Sequence, residues 1–257
     1  MHVYDRRFPW APTATTFPPE ATADAYREVQ RDLGLSRVVV VQPSSYGFDN
    51  RCTLNALAAF GASARGIAVA RPEVSDGELD QWHHQGIRGL RYLMVGNPLM
   101  TWDSLPMMSE RIRPLGWNIN LQLDGRRLPE YEPMLARLTG NLVIDHNGKF
   151  LEPVALSHPG FQSLLRLLDS GRCWVKLSAP YETSKIGAPA YDDVSILARA
   201  LVAAHPDRCL WASNWPHPGM LTEPSTPAML DLLLDWAPDE DTRRKILVDN
   251  PAELYGF

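Results

Sequence analysis

The turn Ser213-Asn214-Trp215-Pro216-His217 sets an amide and an imidazole side by side after the apolar run Arg208-Cys209-Leu210-Trp211-Ala212. An imidazole takes or gives a proton near neutral pH, whereas the Asn214 amide offers only hydrogen bonds. The same pairing of apolar run and polar terminus recurs along the chain. It presents His2, then Gln42 with Ser44, Ser45, Asp49 and Asn50, then Arg91, then Gln122 with Asp124. Further on it presents Asp145 with His146 and Lys149, Lys176 with Ser178 and Tyr181, and Asn214 with His217. Such a set holds imidazoles for proton transfer, donors for a developing oxyanion and cations for a carboxylate. His83, His84, His158 and His205 stand in helical or loop contexts and read as surface or packing residues.

The runs that end in these groups set the architecture. Seven of them occupy residues 37–42, 65–70, 87–94, 117–124, 142–146, 173–178 and 208–213, with amphipathic segments such as 21–33, 53–62, 76–85, 161–170, 194–205 and 227–237 between them. Strands that alternate with helices predict a parallel sheet, and 257 residues fit one TIM-like (β/α)8 barrel, a single domain over residues 1–257. An eighth strand should precede the first helix, where only His2-Val3-Tyr4 looks extended. The chain is expected to begin inside that strand, which is then truncated. Catalytic groups of such barrels come from the carboxyl ends of the strands, where the residues above lie. The proline-rich stretch 9–19 reads as a loop over the barrel mouth.

Period two in Trp117-Asn118-Ile119-Asn120-Leu121-Gln122-Leu123-Asp124 puts Asn118, Asn120, Gln122 and Asp124 on one face and four apolar residues on the other. A wholly polar face predicts the lining of a ligand cavity; the alternative is an edge strand with a solvated face. Trp174, Lys176 and Ser178 share a face in the same way and favour the cavity.

Composition bounds the partners. A formal net charge of -5 without a long Lys/Arg run argues against nucleic acid or an anionic membrane and for a small molecule. Cys52, Cys173 and Cys209 are odd in number and far apart, which suits buried thiols in a reducing compartment. No apolar stretch reaches the ~18 residues of a membrane span, and the first residues lack a signal peptide's apolar region, so a cytoplasmic protein is expected. Homo-oligomer formation is left open.

Five fragments then come in one order across nearly the whole chain. They are His2-Val3-Tyr4-Asp5; Val41-Gln42-Pro43-Ser44 with Gly47-Phe48-Asp49-Asn50; Ile144-Asp145-His146-Asn147-Gly148; Asn214-Trp215-Pro216-His217; and Asn250-Pro251-Ala252-Glu253-Leu254-Tyr255. Together they resemble the lactone-processing branch of the amidohydrolase superfamily, whose members act on cyclic esters of small acids. The resemblance implies a distorted (β/α)8 barrel, an acidic lactone as the small-molecule partner and no cofactor. His2 would match the second His of a His-x-His pair, and His146 the histidine after run 142–146. Asn214 stands where the lactonases of the branch carry Asp.

Neutral Asn is a poor zinc ligand, and metal-independent chemistry is expected, with a weakly held ion at His2, His146 and Asp124 as the alternative. A carboxylate at position 214 could take a proton from water; Asn214 cannot, but it can position a hydroxyl. This favours isomerisation of a sugar-diacid lactone by acyl transfer between two hydroxyls of one substrate. Hydrolysis with Asp124 or His146 as base is the alternative. Two other readings are a non-catalytic binding protein and a metal-dependent decarboxylase. His2, His146 and Asn214 are the expected catalytic residues and candidate oxyanion donors, either His serving as the proton shuttle. Arg91, Lys149 and Lys176 are expected to meet the substrate carboxylate. Ser45, Tyr46, Asn50, Gln122, Tyr181, Asp124 and His217 complete the expected binding residues.

Overall fold

The computed structural model describes every residue except Asn97, Leu221, Thr222 and Glu223. Seven strands, β1 (Val38–Val41), β2 (Ala64–Ala68), β3 (Ile87–Leu93), β4 (Asn118–Gln122), β5 (Asn141–Ile144), β6 (Cys173–Leu177) and β7 (Cys209–Trp211), form one parallel sheet in chain order. Helices α1 (Ala23–Leu33), α2 (Arg51–Phe60), α3 (Asp76–His84), α4 (Ser104–Ile112), α5 (Leu128–Leu135), α6 (Pro159–Asp169) and α7 (Asp192–Ala204) alternate with the strands. Helices α8 (Thr226–Trp236), α9 (Glu240–Arg244) and α10 (Asn250–Tyr255) follow β7. This is the barrel that strand-helix alternation predicts, and all seven expected strands form.

The eighth strand does not form as one. Residues 1–3 instead take its place between β1 and the segment after β7, through three backbone bonds. The Met1 amino group donates to Val39 O at 3.1 Å, Val41 N–H donates to Met1 O at 2.9 Å, and His2 N–H donates to Trp215 O at 2.8 Å. Tyr4 then leaves in an isolated antiparallel bridge with Ala21, the residue that leads into α1. His2 is therefore seated in the barrel wall with its side chain at the rim.

Alternation along the strands separates two layers. Trp117, Ile119 and Leu121 face outward and are sealed under helices, each such residue worth about 1.5–3 kcal/mol of burial. Inward, Val41, Ile67, Val143, Trp174 and Leu210 pack with Leu254 and Tyr255 of α10 into an apolar floor. Arg65, at the amino end of β2, donates to Tyr255 O and Gly256 O and fixes α10 under that end of the barrel. Arg91, Gln122 and Lys176 turn inward above the floor, toward the carboxyl ends.

Local signals set the element ends. Ser75 and Glu78 form a reciprocal capping box at the start of α3, and Gly34 at φ 68 closes α1 in a conformation that a Cβ would strain. The proline-rich stretch 9–19 packs on the turn after β1: Ala11 N–H donates to Ser45 O, Ser45 Oγ donates to Thr16 O, and Trp10 stacks on Tyr46. All three cysteines are buried and free. Among the described residues no helix is long and apolar enough to cross a membrane.

Candidate active site

Above the floor lies a polar layer built from facing strands. Register pairs Arg91 with Asn120 across β3 and β4, and both turn inward. Lys176 Nζ lies 2.9 Å from Asp145 Oδ1, and Asn120 Nδ2 donates to the same oxygen at 3.0 Å while Asn120 Oδ1 accepts from Lys176. Burial opposes ionisation of Asp145, but Lys176, with His146 and Arg91 nearby, holds its carboxyl well below the usual range. Arg91 donates to Gln42 O at 2.7 Å and to Gln122 Oε1 at 3.1 Å, and its Nε is sealed without a partner. The polar face of 117–124 thus serves differently from the expectation. Asn118 and Asn120 are wholly buried in this network, Asn118 donating to Arg88 O, and only Gln122 nears the open end.

Two histidines stand at the rim. His2 Nδ1 is 2.8 Å from Val41 O; a carbonyl only accepts, so Nδ1 carries the hydrogen and Nε2 keeps a lone pair. Burial, then Arg91, pushes the His2 pKa well below its ordinary value, and the ring is neutral at pH 7. Of the two roles expected for His2, oxyanion donor or proton shuttle, this tautomer leaves Nε2 as an acceptor, the form a shuttle needs. His146 Nδ1 bonds Ser178 Oγ at 2.8 Å; when Ser178 donates, Nε2–H is left as a donor. Burial, with Lys149, Lys176 and Arg91, lowers the His146 pKa to about 3 against the pull of Asp145. His146, Asn147 and Lys149 all hold left-handed φ values of 55, 54 and 49°, a tight turn of non-glycine residues that the fold must over-determine.

That turn delivers Lys149 to Glu182, and Glu182 to Asn214. Lys149 Nζ forms an ion pair with Glu182 Oε2, and burial lowers the Lys149 pKa to about 8, partly offset by Asp145. Asn214, at φ 51, donates from Nδ2 to Glu182 Oε1 and to Tyr181 Oη, both at 2.9 Å. Tyr181 Oη is 2.8 Å from His217 Nδ1, and His217 Nε2 is 2.9 Å from Thr226 Oγ1. Burial lowers the His217 pKa to about 4, so this ring too is neutral. Both Nδ2 hydrogens of Asn214 are in use, which leaves its Oδ1, and not its N–H, for a ligand.

Most of the sequence-selected residues meet here: His2, Arg91, Gln122, His146, Lys149, Lys176, Tyr181, Asn214 and His217. Four do not. Ser45 pins the proline-rich stretch, and Tyr46 Oη bonds the backbone of Asp5 at 2.9 and 3.2 Å. Asn50 clamps both backbone groups of Val69, at 2.8 and 2.9 Å. Asp124 lies past the end of β4, tied to Arg126 and to Arg126 N–H, and turns away from the face that period two assigns it. The residue that sequence reasoning passed over is Glu182. It sits in a loop with no strand-end signal, and only the fold brings it to Asn214. Asp145 and Ser178 were visible at strand ends, without any sign that they hold Lys176 and His146.

The donor set does not suit a metal. Asp124 is removed, Asp145 is occupied by an ammonium, and Asn214 is neutral. Among the described residues no three His, Cys, Asp or Glu side chains are placed to hold an ion. Side-chain charge is unbalanced in another way: Arg91, Lys149 and Lys176 face two carboxylates, Asp145 and Glu182, and one positive charge is left for an anionic ligand.

The seven parallel strands thus carry a layer of buried ionisable groups at their carboxyl ends, where barrel enzymes hold their sites. The amidohydrolase family model matches residues 2–257, and the chain belongs to that family. It is 30% identical over 260 residues to the D-galactarolactone isomerase of Agrobacterium fabrum, an alignment that covers 99% of this chain and 89% of that one. It is 33% identical over 267 residues to the 2-pyrone-4,6-dicarboxylate hydrolase of Comamonas testosteroni, covering 99% and 88%. An apo crystal structure of an Agrobacterium tumefaciens protein, 30% identical, superimposes with a TM-score of 0.92 over 100% of this chain and 93% of the other.

Proposed function

We propose that residues 1–257 act as one cytoplasmic enzyme that isomerises the lactone of a sugar diacid without a metal, by acyl transfer between two hydroxyls of the substrate. The observation that carries this reading is Asn214: at the rim stands a neutral amide whose Nδ2 is committed to Glu182 and Tyr181 and whose Oδ1 accepts from no described residue. Relatives named for lactone isomerisation and lactone hydrolysis support the substrate class.

The substrate carboxylate takes the unmatched positive charge near Arg91 and Lys149, Arg91 offering a planar fork and Lys149 a point charge. A second substrate hydroxyl donates to Asn214 Oδ1, which holds the neighbouring, attacking hydroxyl on the carbonyl carbon. The hydroxyl oxygen forms the new C–O bond as the old ring C–O bond breaks. Its proton passes through His2 Nε2 to the departing ring oxygen, and His146 Nε2–H donates to the carbonyl oxygen as charge develops there. A weakly basic His2 suits this task, because the proton is handed on within one turnover and no charged imidazolium is stored. The internal nucleophile acts at a high effective concentration and makes activation of water unnecessary.

Hydrolysis is a second reading, favoured by one observation: Asp145 is an ionised carboxylate close to His146. NMR of galactarate 1,5-lactone with the enzyme in 18O-water separates the two. The expected result is the 1,4-lactone, free of 18O, before any diacid. Labelled diacid as the first product refutes isomerisation, and a bound but unconverted lactone refutes both.

A further inference from the structure

The hydrogen bonds around Asn214 run in one direction, and a single group sets that direction. A carboxylate can only accept, so Glu182 Oε1 obliges Asn214 to turn its Nδ2 inward at 2.9 Å. The second Nδ2 hydrogen goes to Tyr181 Oη, which must then donate its own hydrogen to His217 Nδ1, and His217 donates from Nε2 to Thr226 Oγ1. Glu182 itself is kept in place by Lys149 on its other oxygen. Asn214 Oδ1 accepts from no described residue.

The same contact has a consequence for any acid at that position. Asp is nearly isosteric with Asn, and an Asp in the frame of Asn214 would place two carboxylates where a 2.9 Å hydrogen bond now lies. The pair would share a proton, and the newcomer would stay protonated when it is needed as a base for water.

Resting on the lactone reading above, we propose that Glu182 is the specificity-determining positioning residue of this site: it fixes the Asn214 amide with Oδ1 toward the substrate hydroxyl, and it makes the neighbouring position hostile to the carboxylate that hydrolysis requires. Isomerisation is then a property of the Glu182–Asn214 pair rather than of Asn214 alone.

Three variants test this: N214D, E182Q and N214D/E182Q. The first readout needs no turnover. A 13C-NMR titration of the introduced carboxyl at position 214 should give an apparent pKa at least about one unit higher in N214D than in N214D/E182Q. The second is the initial ratio of diacid to isomerised lactone, which should rise at least about tenfold from N214D to the double variant, while isomerisation by E182Q should be slower than by the wild type, because Gln no longer obliges the amide to donate. Equal titration of the carboxyl in the two backgrounds overturns the proposal. So does N214D hydrolysing as fast as the double variant. If the wild-type protein converts no lactone, the reading of function fails by itself, and the titration still decides whether Glu182 excludes a carboxylate. Gln at position 182 keeps the shape and an acceptor oxygen, and thermal melting of each variant confirms that the comparison is between folded proteins.

Discussion

Lys176→Met removes the ammonium that Asp145 depends on, and its cost follows from geometry. Asp145 is 3% exposed and Lys176 7%, so neither is solvated by water in compensation. The pair stands at 2.9 Å, and after the substitution Asp145 keeps only the Asn120 amide at 3.0 Å and the more distant Arg91 field. Stranding one partner of a buried pair costs about 3–5 kcal/mol. For a chain of this size, at about 2–4 °C per kcal/mol, the melting temperature should fall by about 6–20 °C. Asp145→Asn, which strands Lys176, should fall by a comparable amount, and the double variant should lie well above the sum of the two. The pH dependence has a definite sign. In the wild type the Asp145 pKa is depressed, so its stabilisation is present above the unfolded value and is lost as pH falls through the folded one. In Lys176→Met the largest opposition to burial is gone and that pKa rises, so the deficit should shrink as pH is lowered from 7 toward 5. Calorimetric melts of the four proteins at pH 5 and 7 measure all of this. Additive losses, or a deficit that grows on acidification, would refute the account of the polar layer.

Two further outcomes concern catalysis. With the His146 pKa at about 3 and that of His2 depressed, kcat/KM should stay level from pH 8 down to 5, and KM should rise above pH about 8 as Lys149 loses its proton. Lys149→Met should abolish that alkaline limb, and an acid limb near the ordinary histidine range would contradict neutral rim imidazoles. His2→Gln keeps a polar group without a titratable lone pair, and steady-state kinetics should show kcat lowered about 10²–10⁴-fold with KM little changed; a loss carried by KM would reassign His2 to binding.

The sequence by itself determined the strands, the parallel order and the rim. Apolar runs of β-branched residues between amphipathic segments can be satisfied only by a sheet sealed under helices, and the polar residue that ends each run then lies at one end of the barrel. Helices were legible where apolar spacing was clean and hard to see where it was interrupted: α4 carries Pro106 and α5 carries Pro133. The period of two correctly turned Asn120 and Gln122 inward, but it could not tell a ligand cavity from a sealed network, because that depends on what stands opposite. Opposite stood Lys176 and Asp145. Residues beyond a strand end lie outside the reach of periodicity altogether, which is why Asp124 turned to Arg126 and why Ser45, Tyr46 and Asn50 proved to hold loops. Tertiary structure alone decided the hydrogen bonds of Asn214. An amide has a donor side and an acceptor side, and the donor side is committed to Glu182, a residue 32 positions away that only the closed barrel brings within hydrogen-bond range.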